Sequence, residues 1–500
     1  RDRLGEKPLY YSNDINNGLI FSSSVKSIIS HPDLIHKKKI DISSIDQYLS
    51  FNYLLFEKTF FSGVKSLEPG SYLIFDKNNN SNIVEKKYWK LENCFKNEEI
   101  KKLKFVDAKN RLSSLIKSSV SSRILSDVKI GTYLSGGIDS SLISLKLKSI
   151  NNHSMDAHNI SFKEEQFDEK KYAENLSRNI GIKLNTYNMP DPKTISLDFH
   201  NIVESMDQPM ADTAFISNFY LSKFSSKYSK VVLSGDGGDE MLCGYETYLA
   251  DIYKKLFNNL PSIASSVIKK TLLLFNKSNP AKKVSFEYKI NKFLENFKKD
   301  EKESHILWRS IFNSEEKKNL FINKFENPNF FGKIFEKYNI VKDLHYLDQN
   351  MYIDLLTWFP NDILYKVDRT TMYHSQEGRI PLLDTKIIEF CCSLPIKYKL
   401  NFFKKKYIFK EILKDKLGRK YLNRHKSGFN SPVGVWIIKN PTFKDLTYSL
   451  ITNNRLNNLL KKSELIKYFD DHVKFKQDNT YKLFTLMVLS QWMNNNNLNF

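Results

Sequence analysis

Between residues 106 and 233 the chain alternates between helical and strand-like apolar spacing, and nothing else in the sequence restricts the fold as much. Val106 to Ile124 carries apolar residues at helical intervals. Val128 to Leu134 is a short β-prone run suited to a buried strand, and a helix-like segment follows from Ser140. The alternation repeats with His158 to Phe162 (strand), Glu169 to Ile180 (helix), Leu184 to Tyr187 (strand), Phe215 to Tyr228 (helix) and Lys230 to Leu233 (strand). Such an order builds βαβ units, and hence a parallel sheet with helices on both faces. Past residue 245 helical periodicity dominates. Residues 1–90 read instead as short strands, polar turns and short helices, with hairpin signals around Asn13 to Gly18 and Asn78 to Asn82.

Composition excludes several classes. The 17 glycines and 14 prolines among 500 residues are too few for fibrous or low-complexity chains, and 41% hydrophobic residues suffice for real cores. The net charge of +21 comes from lysines spread in short pieces such as Lys37 to Lys39 and Lys404 to Lys406. A solvated basic surface explains that pattern better than a polyanion site, which favours a concentrated arginine stripe interleaved with aromatics. Cys94, Cys243, Cys391 and Cys392 form no C-x-x-C pair, so zinc and disulfide frameworks are not expected and a reducing, cytoplasmic setting is. Cys391 and Cys392 sit in an apolar stretch and read as core.

Five glycines fall in two windows that each follow a β-prone run directly: Ser135-Gly136-Gly137-Ile138-Asp139-Ser140-Ser141 and Ser234-Gly235-Asp236-Gly237-Gly238-Asp239-Glu240. In a parallel sheet the turn after a strand opens at the carboxyl edge, where ligands bind. Glycines there bring N–H groups close to a phosphate, and serines add hydroxyl donors. Neither window is a Walker A loop or a dinucleotide fingerprint. An anion site repels carboxylates, so Asp139 and Asp239 call for a hard divalent cation that bridges carboxylate and phosphate; the plainer reading of Asp139 is a helix cap.

Ser135 to Ser141 resembles the S-G-G-x-D-S loop of ATP pyrophosphatases, and Ser234 to Glu240, continuing to Gly244-Tyr245, resembles the matching element of glutamine-dependent asparagine synthetases. Three further stretches are similar to that family, in order: Asp207 to Asp212, Leu364 to Met372 running into Glu377 to Asp384, and Asn423 to Phe429. The resemblance implies an α/β fold. A parallel-sheet ATP-pyrophosphatase (HUP-like) synthetase domain with a helical C-terminal part would occupy 105–500, after a partial α+β, Ntn-type glutamine amidotransferase domain at 1–95.

The implied chemistry is adenylation of a carboxylate by ATP with loss of pyrophosphate, followed by displacement of AMP by ammonia. Ser135, Gly136, Gly137, Ser140 and Ser234 would cradle the phosphates, with Mg²⁺ on Asp139 and Asp239. Leu134, Ile160, Phe162 and Gly235 would surround the adenosine. For the second step Asp236 stands where the family has an acidic residue near the acyl group, as the base that takes a proton from the attacking ammonia. Lys426 stands where it has its catalytic lysine, as the cation over the oxyanion, and Glu377 is expected to orient the site. His374 reads as a structural residue, and Tyr245 as packing against its loop. The implied partners are small molecules (ATP, aspartate or another carboxylate, and ammonia derived from glutamine), with no nucleic acid and no membrane, and a homodimer is allowed for.

Family members begin their glutaminase domain with a nucleophilic cysteine, whereas Arg1 to Tyr11 resembles a strand well inside that domain. The 500 residues are therefore read as a fragment that is expected to use free ammonia without hydrolysing glutamine. Two other readings stand beside it: an amidotransferase acting on a sugar acid or other carboxylate in surface-polysaccharide synthesis, and, disfavoured by the absence of C-x-x-C pairs, an RNA-modifying relative of the pyrophosphatase-loop class. A non-catalytic descendant is disfavoured because both Asp139 and Asp239 remain.

Overall fold

The structure, a computed structural model, describes residues 1–13, 18–35, 39–76, 82–150, 155–261, 271–272, 279–281, 283, 286–296, 299–323, 330–422 and 428–498. Near the N-terminus, β1 (Tyr10–Ser12) lies between β2 (Ile20–Ser22) and β3 (Lys65–Ser66) in an antiparallel sheet, and β4 (Ser71–Asp76) pairs with β5 (Asn82–Lys87) as a hairpin. The helix Ile42–Phe51 is capped by Asp41, whose carboxylate accepts from Ser43 N at 2.9 Å, and it stops at Asn52, where φ turns positive.

The central sheet is parallel throughout. Its five strands are β6 (Ile130–Tyr133), β7 (Asp156–Ser161), β8 (Lys183–Asn188), β9 (Val231–Leu233) and β10 (Glu377–Arg379), in the order β10-β9-β6-β7-β8. The four strands read from the alternation are present within two residues of their expected limits. The fifth, β10, has no apolar pattern of its own. It forms because the stretch Glu377-Gly378-Arg379 pairs with Val231-Val232-Leu233 at the sheet edge.

Chain order runs outward from β6 in both directions, so the topological switch point lies between β6 and β9. Ile130, Gly131 and Thr132 pair with Val231, Val232 and Leu233, so the two glycine windows leave the same sheet edge side by side. That is where open α/β sheets hold ligands. β7 and β9 are buried along their whole length; β9 is accordingly all apolar, whereas β7 also buries Asp156, His158 and Asn159.

The two parts of the chain are tightly joined. Asp207, held at φ +63°, accepts from Ser24 Oγ (2.7 Å), Val25 N (2.8 Å) and Lys26 N (3.0 Å), so it caps a helix of the N-terminal part. Lys317 meets Asp46 at 2.7 Å, Lys7 meets Asp368 at 2.7 Å, and Arg369 donates to Ser23 O at 2.6 Å. The long helix Thr480–Asn495 packs against this junction; its Trp492 donates to Asp207 O, and Tyr48 donates to Thr485 O. The four cysteines are buried and free, Cys391 and Cys392 in the core as read. No helix among the described residues is long and apolar enough to cross a membrane.

Candidate active site

A cavity of about 590 Å³ opens at the switch point between β6 and β9. Leu134, Ser135, Gly137, Asp139 and Ser140 form one wall, and Ser234, Gly235, Asp236, Gly237 and Asp239 the adjoining one. Ser135 Oγ accepts from Gly137 N at 3.2 Å and lies 3.2 Å from Ser140 Oγ, so the loop is held with its hydroxyls together. Tyr421 donates to Gly136 O at 2.6 Å and fastens the loop from behind.

The glycines of the second loop serve close approach as much as turning. A Cβ at Gly235 would stand 2.7 Å from Ser140 N, and one at Gly238 only 2.3 Å from Asp139 Oδ1. Two loops can bring their carboxylates together only if these side chains are absent.

What lies between the carboxylates was not legible in the sequence. Lys406 Nζ is ion-paired with both Asp139 and Asp239, and all three residues are buried. Lys406 is the last residue of a lysine run that reads as solvated surface; it is delivered to the site by a hairpin whose residues Phe402, Phe403 and Lys406 all have positive φ. An ammonium between two carboxylates marks a cation position. No cluster of three or more His, Cys, Asp or Glu able to hold a metal occurs among the described residues. Two carboxylates completed by phosphate oxygens of a ligand suit Mg²⁺, which binds through one or two carboxylates plus phosphates. The residues therefore fit the ion, with Lys406 as its counterpart in the protein.

Deeper in the cavity Asp212, from the Asp207 to Asp212 segment, is ion-paired with Lys366, which is 3.6 Å from Asp362. Burial works against Asp212 ionising, but the Lys366 charge and hydrogen bond prevail and hold it below the usual carboxylate range. Burial, then repulsion from Asp212, pushes Asp362 up to about 7. Tyr245 lines the cavity as well as packing on its loop: it donates to Glu240 Oε1 at 2.5 Å and sits edge-on to Trp358. Burial and the neighbouring Asp239 push Glu240 up to about 8. Arg309 lies over the Trp358 ring at 4.1 Å and is held from behind by Asp354 through bonds of 2.6 and 2.9 Å. Phe51, Asn52 and Tyr53 reach the cavity from the N-terminal part.

Several expected site residues lie elsewhere. Ile160 and Phe162 are packed into the hydrophobic core rather than the cavity wall; His158 and Asn159 line it in their place. Asn159 Nδ2 is buried without a hydrogen-bond partner among the described residues, which leaves an unused donor at the cavity. Burial lowers His158 to about 4, so its ring is neutral. Glu377 is not brought to the cavity. It starts the edge strand β10, its side chain is 49% exposed, and it pairs with Arg379 at 2.7 Å, while Arg379 ties the carbonyls of Arg123 and Leu125 to the sheet. An edge strand running parallel to β9 places its first residue away from the carboxyl end where the loops open. Lys426 lies outside the described residues. His374 bonds the backbone of its own helix through Nδ1 to Thr370 O at 3.0 Å and packs on Phe219, as a structural histidine does.

Comparison with known proteins agrees with this geometry. Residues 111–494 match the asparagine synthase family and residues 1–89 the glutamine amidotransferase domain. Asparagine synthetase (glutamine-hydrolyzing) 1 of Bacillus subtilis is 30% identical over 494 residues, covering 98% of this chain and 74% of the relative. The chain belongs to the asparagine synthetase family. Its members are amide-forming ligases that draw nitrogen from glutamine. Asparagine synthetase (glutamine-hydrolyzing) 3 of the same organism is 24% identical over 92% of the chain and 70% of its own length. Amidase chyE of Penicillium rubens is 24% identical over 87% of the chain and 67% of its own length.

Proposed function

We propose that the chain makes a carboxamide in two steps, with its domains at 1–95 and 105–500: ATP adenylates a carboxylate with release of pyrophosphate, and ammonia then displaces AMP. The observation that carries this reading is the meeting of Asp139 and Asp239 from two adjacent loops around one cation position at the switch point. Ser135, Gly137 and Ser140 offer hydroxyl and N–H donors to the leaving pyrophosphate. The Ser234 hydroxyl and N–H are instead held by Asp236 and by Arg379 O, and Ser234 shapes the loop. Asp139 and Asp239 would hold magnesium, which would neutralise the phosphate charge. Lys406, paired with both carboxylates here, would be released by that ion to balance the charge of the phosphates. Leu134, Gly235 and Asn159 face the adenosine. Asp236, steadied by the Ser234 hydroxyl, and Lys426 act at the acyl group. The work takes place in the cytoplasm, in keeping with four free buried cysteines.

The acceptor we favour is aspartate, which yields asparagine. A second reading has support in the aromatic residues of the cavity lining, Phe51, Tyr53, Tyr245, Trp308 and Trp358, which suit a ring-bearing carboxylate such as a sugar acid. Pyrophosphate release with ATP, Mg²⁺ and ammonia, measured with aspartate, with uronic acids and without acceptor, decides between them. Stimulation by aspartate supports asparagine synthesis, stimulation by a uronic acid alone supports the second reading, and stimulation by neither refutes adenylation of these acceptors.

A further inference from the structure

Acidic side chains dominate the cavity lining, and the only lysine or arginine side chains among the described residues that line it are Lys366 and Arg309. A carboxylate acceptor is itself an anion, so such a wall repels it unless a positive group receives it. Lys366 is neutralised inside the cavity, because its partners Asp212 and Asp362 are lining residues too. Arg309 differs. Its counter-ion, Asp354, is buried behind the wall and is not part of the lining.

A row of alternating charge stands behind the guanidinium. Asp354 accepts from Arg309 at 2.6 and 2.9 Å and lies 3.2 Å from His305 Nε2, while His305 Nδ1 lies 2.7 Å from Asp251. Burial opposes charge on His305, but Asp251 and Asp354 outweigh it, so the ring is protonated near neutral pH. From the cavity inward the row therefore runs positive, negative, positive, negative, with its positive end toward a ligand. The guanidinium is also fixed in place. Thr247 Oγ1 accepts from its Nη2 at 3.1 Å, and it lies 4.1 Å from the Trp358 ring centre and 5.6 Å from that of Tyr245. Just beyond it in the chain, Ile311 N donates to Ser50 O and Phe312 N to Leu49 O, which ties this stretch to the helix Ile42–Phe51. The Arg309 Nε–H has no acceptor among the described residues. A preset guanidinium with a donor left over suits a carboxylate.

We propose that Arg309 recognises the acceptor by binding a second carboxylate that the acceptor carries beside the one that is adenylated. In aspartate this is the α-carboxylate. The inference rests on the adenylation reading above and narrows its acceptor to a dicarboxylate. Arg309 selects and orients without taking part in bond making. Its neighbours Thr247, Tyr245 and Trp358 belong to neither glycine window, and Trp358 hydrogen-bonds Asp362, which sets this charge apart from the phosphate cradle.

The test follows ATP–pyrophosphate exchange with ATP, Mg²⁺ and, in turn, aspartate, its α-carboxamide isoasparagine, and galacturonate. The wild-type chain is compared with Arg309→Lys and with the double variant Arg309→Met/Asp354→Asn, which removes the counter-ion together with the cation so that no carboxylate is stranded. A hydrogen-bonded charge of this kind contributes roughly 10–100-fold, so the wild type is expected to favour aspartate over isoasparagine by about that factor in kcat/KM. The double variant loses the preference through a higher KM for aspartate, with the KM for ATP unchanged, and Arg309→Lys keeps part of it. An arginine that only braces the wall would instead lower exchange with both acceptors alike, and that result overturns the proposal. So does a preference that survives in the double variant, or a rise in the KM for ATP in place of that for aspartate. A wild-type chain that takes isoasparagine as well as aspartate overturns it without any variant. Exchange with galacturonate and not with aspartate overturns it too, while leaving adenylation standing. No exchange with any of the three acceptors in the wild type refutes the adenylation reading first, and this inference with it.

Discussion

The substitution Gly238→Ala separates stability from catalysis. The added methyl carbon would lie 2.3 Å from Asp139 Oδ1 and 2.8 Å from its Cγ, whereas ordinary contact begins near 3.4 Å. The Asp139 carboxylate must therefore retreat by about 1 Å from its place beside Lys406 and Asp239. Overpacking of this kind costs about 1–3 kcal/mol. Gly238 opens the short helix Gly238–Met241 with no positive φ, so alanine returns ~0.4–1 kcal/mol by restricting the unfolded chain. The net loss of stability is expected to lie between about 0 and 2.6 kcal/mol. Catalysis is hit harder, because misplacing a group at the reacting centre by 1 Å can cost about 10²-fold. Urea unfolding and Mg²⁺-dependent pyrophosphate release on the same preparation check both halves. A well-folded Gly238→Ala chain that keeps its full rate would refute the placement of Asp139 as the ion ligand.

Three other outcomes are expected. Lys406→Met leaves two buried carboxylates facing each other, and breaking a buried pair in this way costs about 3–5 kcal/mol; its melting temperature should fall and should recover more with Mg²⁺ than that of the wild type. An unchanged melting temperature would contradict the ion pairing. In the hairpin Leu400–Lys405, Phe402 (90% exposed) and Phe403 (50% exposed) occupy turn positions with φ of 43° and 63°, which suit Asn-Gly. Replacing the pair by Asn-Gly is expected to stabilise the chain by about 1–2 kcal/mol in urea melts, and a loss of stability would show that the turn is held by more than backbone preference. The third concerns pH. Burial opposes charge on His305, but Asp251 and Asp354 on its two ring nitrogens outweigh it and push the imidazole up to about 9. A value raised on folding contributes stability that is complete below the unfolded value near 6.5 and is lost as pH rises through about 9. The loss between those limits is at most about 3 kcal/mol, and His305→Gln should flatten it in melts across that range.

The sheet was readable because each of its four principal strands is a compact β-prone run bounded by a helical period, and because the glycine windows mark the carboxyl ends of two of them. β10 was not, since an edge strand of three residues takes its conformation from pairing with β9 rather than from its own pattern. Ile160 and Phe162 were expected at the adenosine, yet Ile160 on the fully buried strand β7 and Phe162 just after it both pack into the core. Lys406 carries no local signal. It is separated from Asp139 by 267 positions and belongs to a run of three lysines, of which Lys404 and Lys405 remain on the hairpin. Asp362 carries no local signal either: it lies in the π-helical turn Phe359–Ile363 and joins the cavity lining only through the fold. Motif spacing thus located the two glycine loops of the cavity, and only folding together of distant segments brought Lys406 and Asp362 to it.

The central claim is that two neighbouring loops grip a departing pyrophosphate through a shared cation. Phosphorus NMR of the reaction with ATP, Mg²⁺, ammonia and the active acceptor reads this directly. The account predicts AMP and pyrophosphate appearing in equal amounts, with both signals lost in Asp139→Asn. Accumulation of ADP and inorganic phosphate instead would place bond cleavage at the γ-phosphate and contradict it.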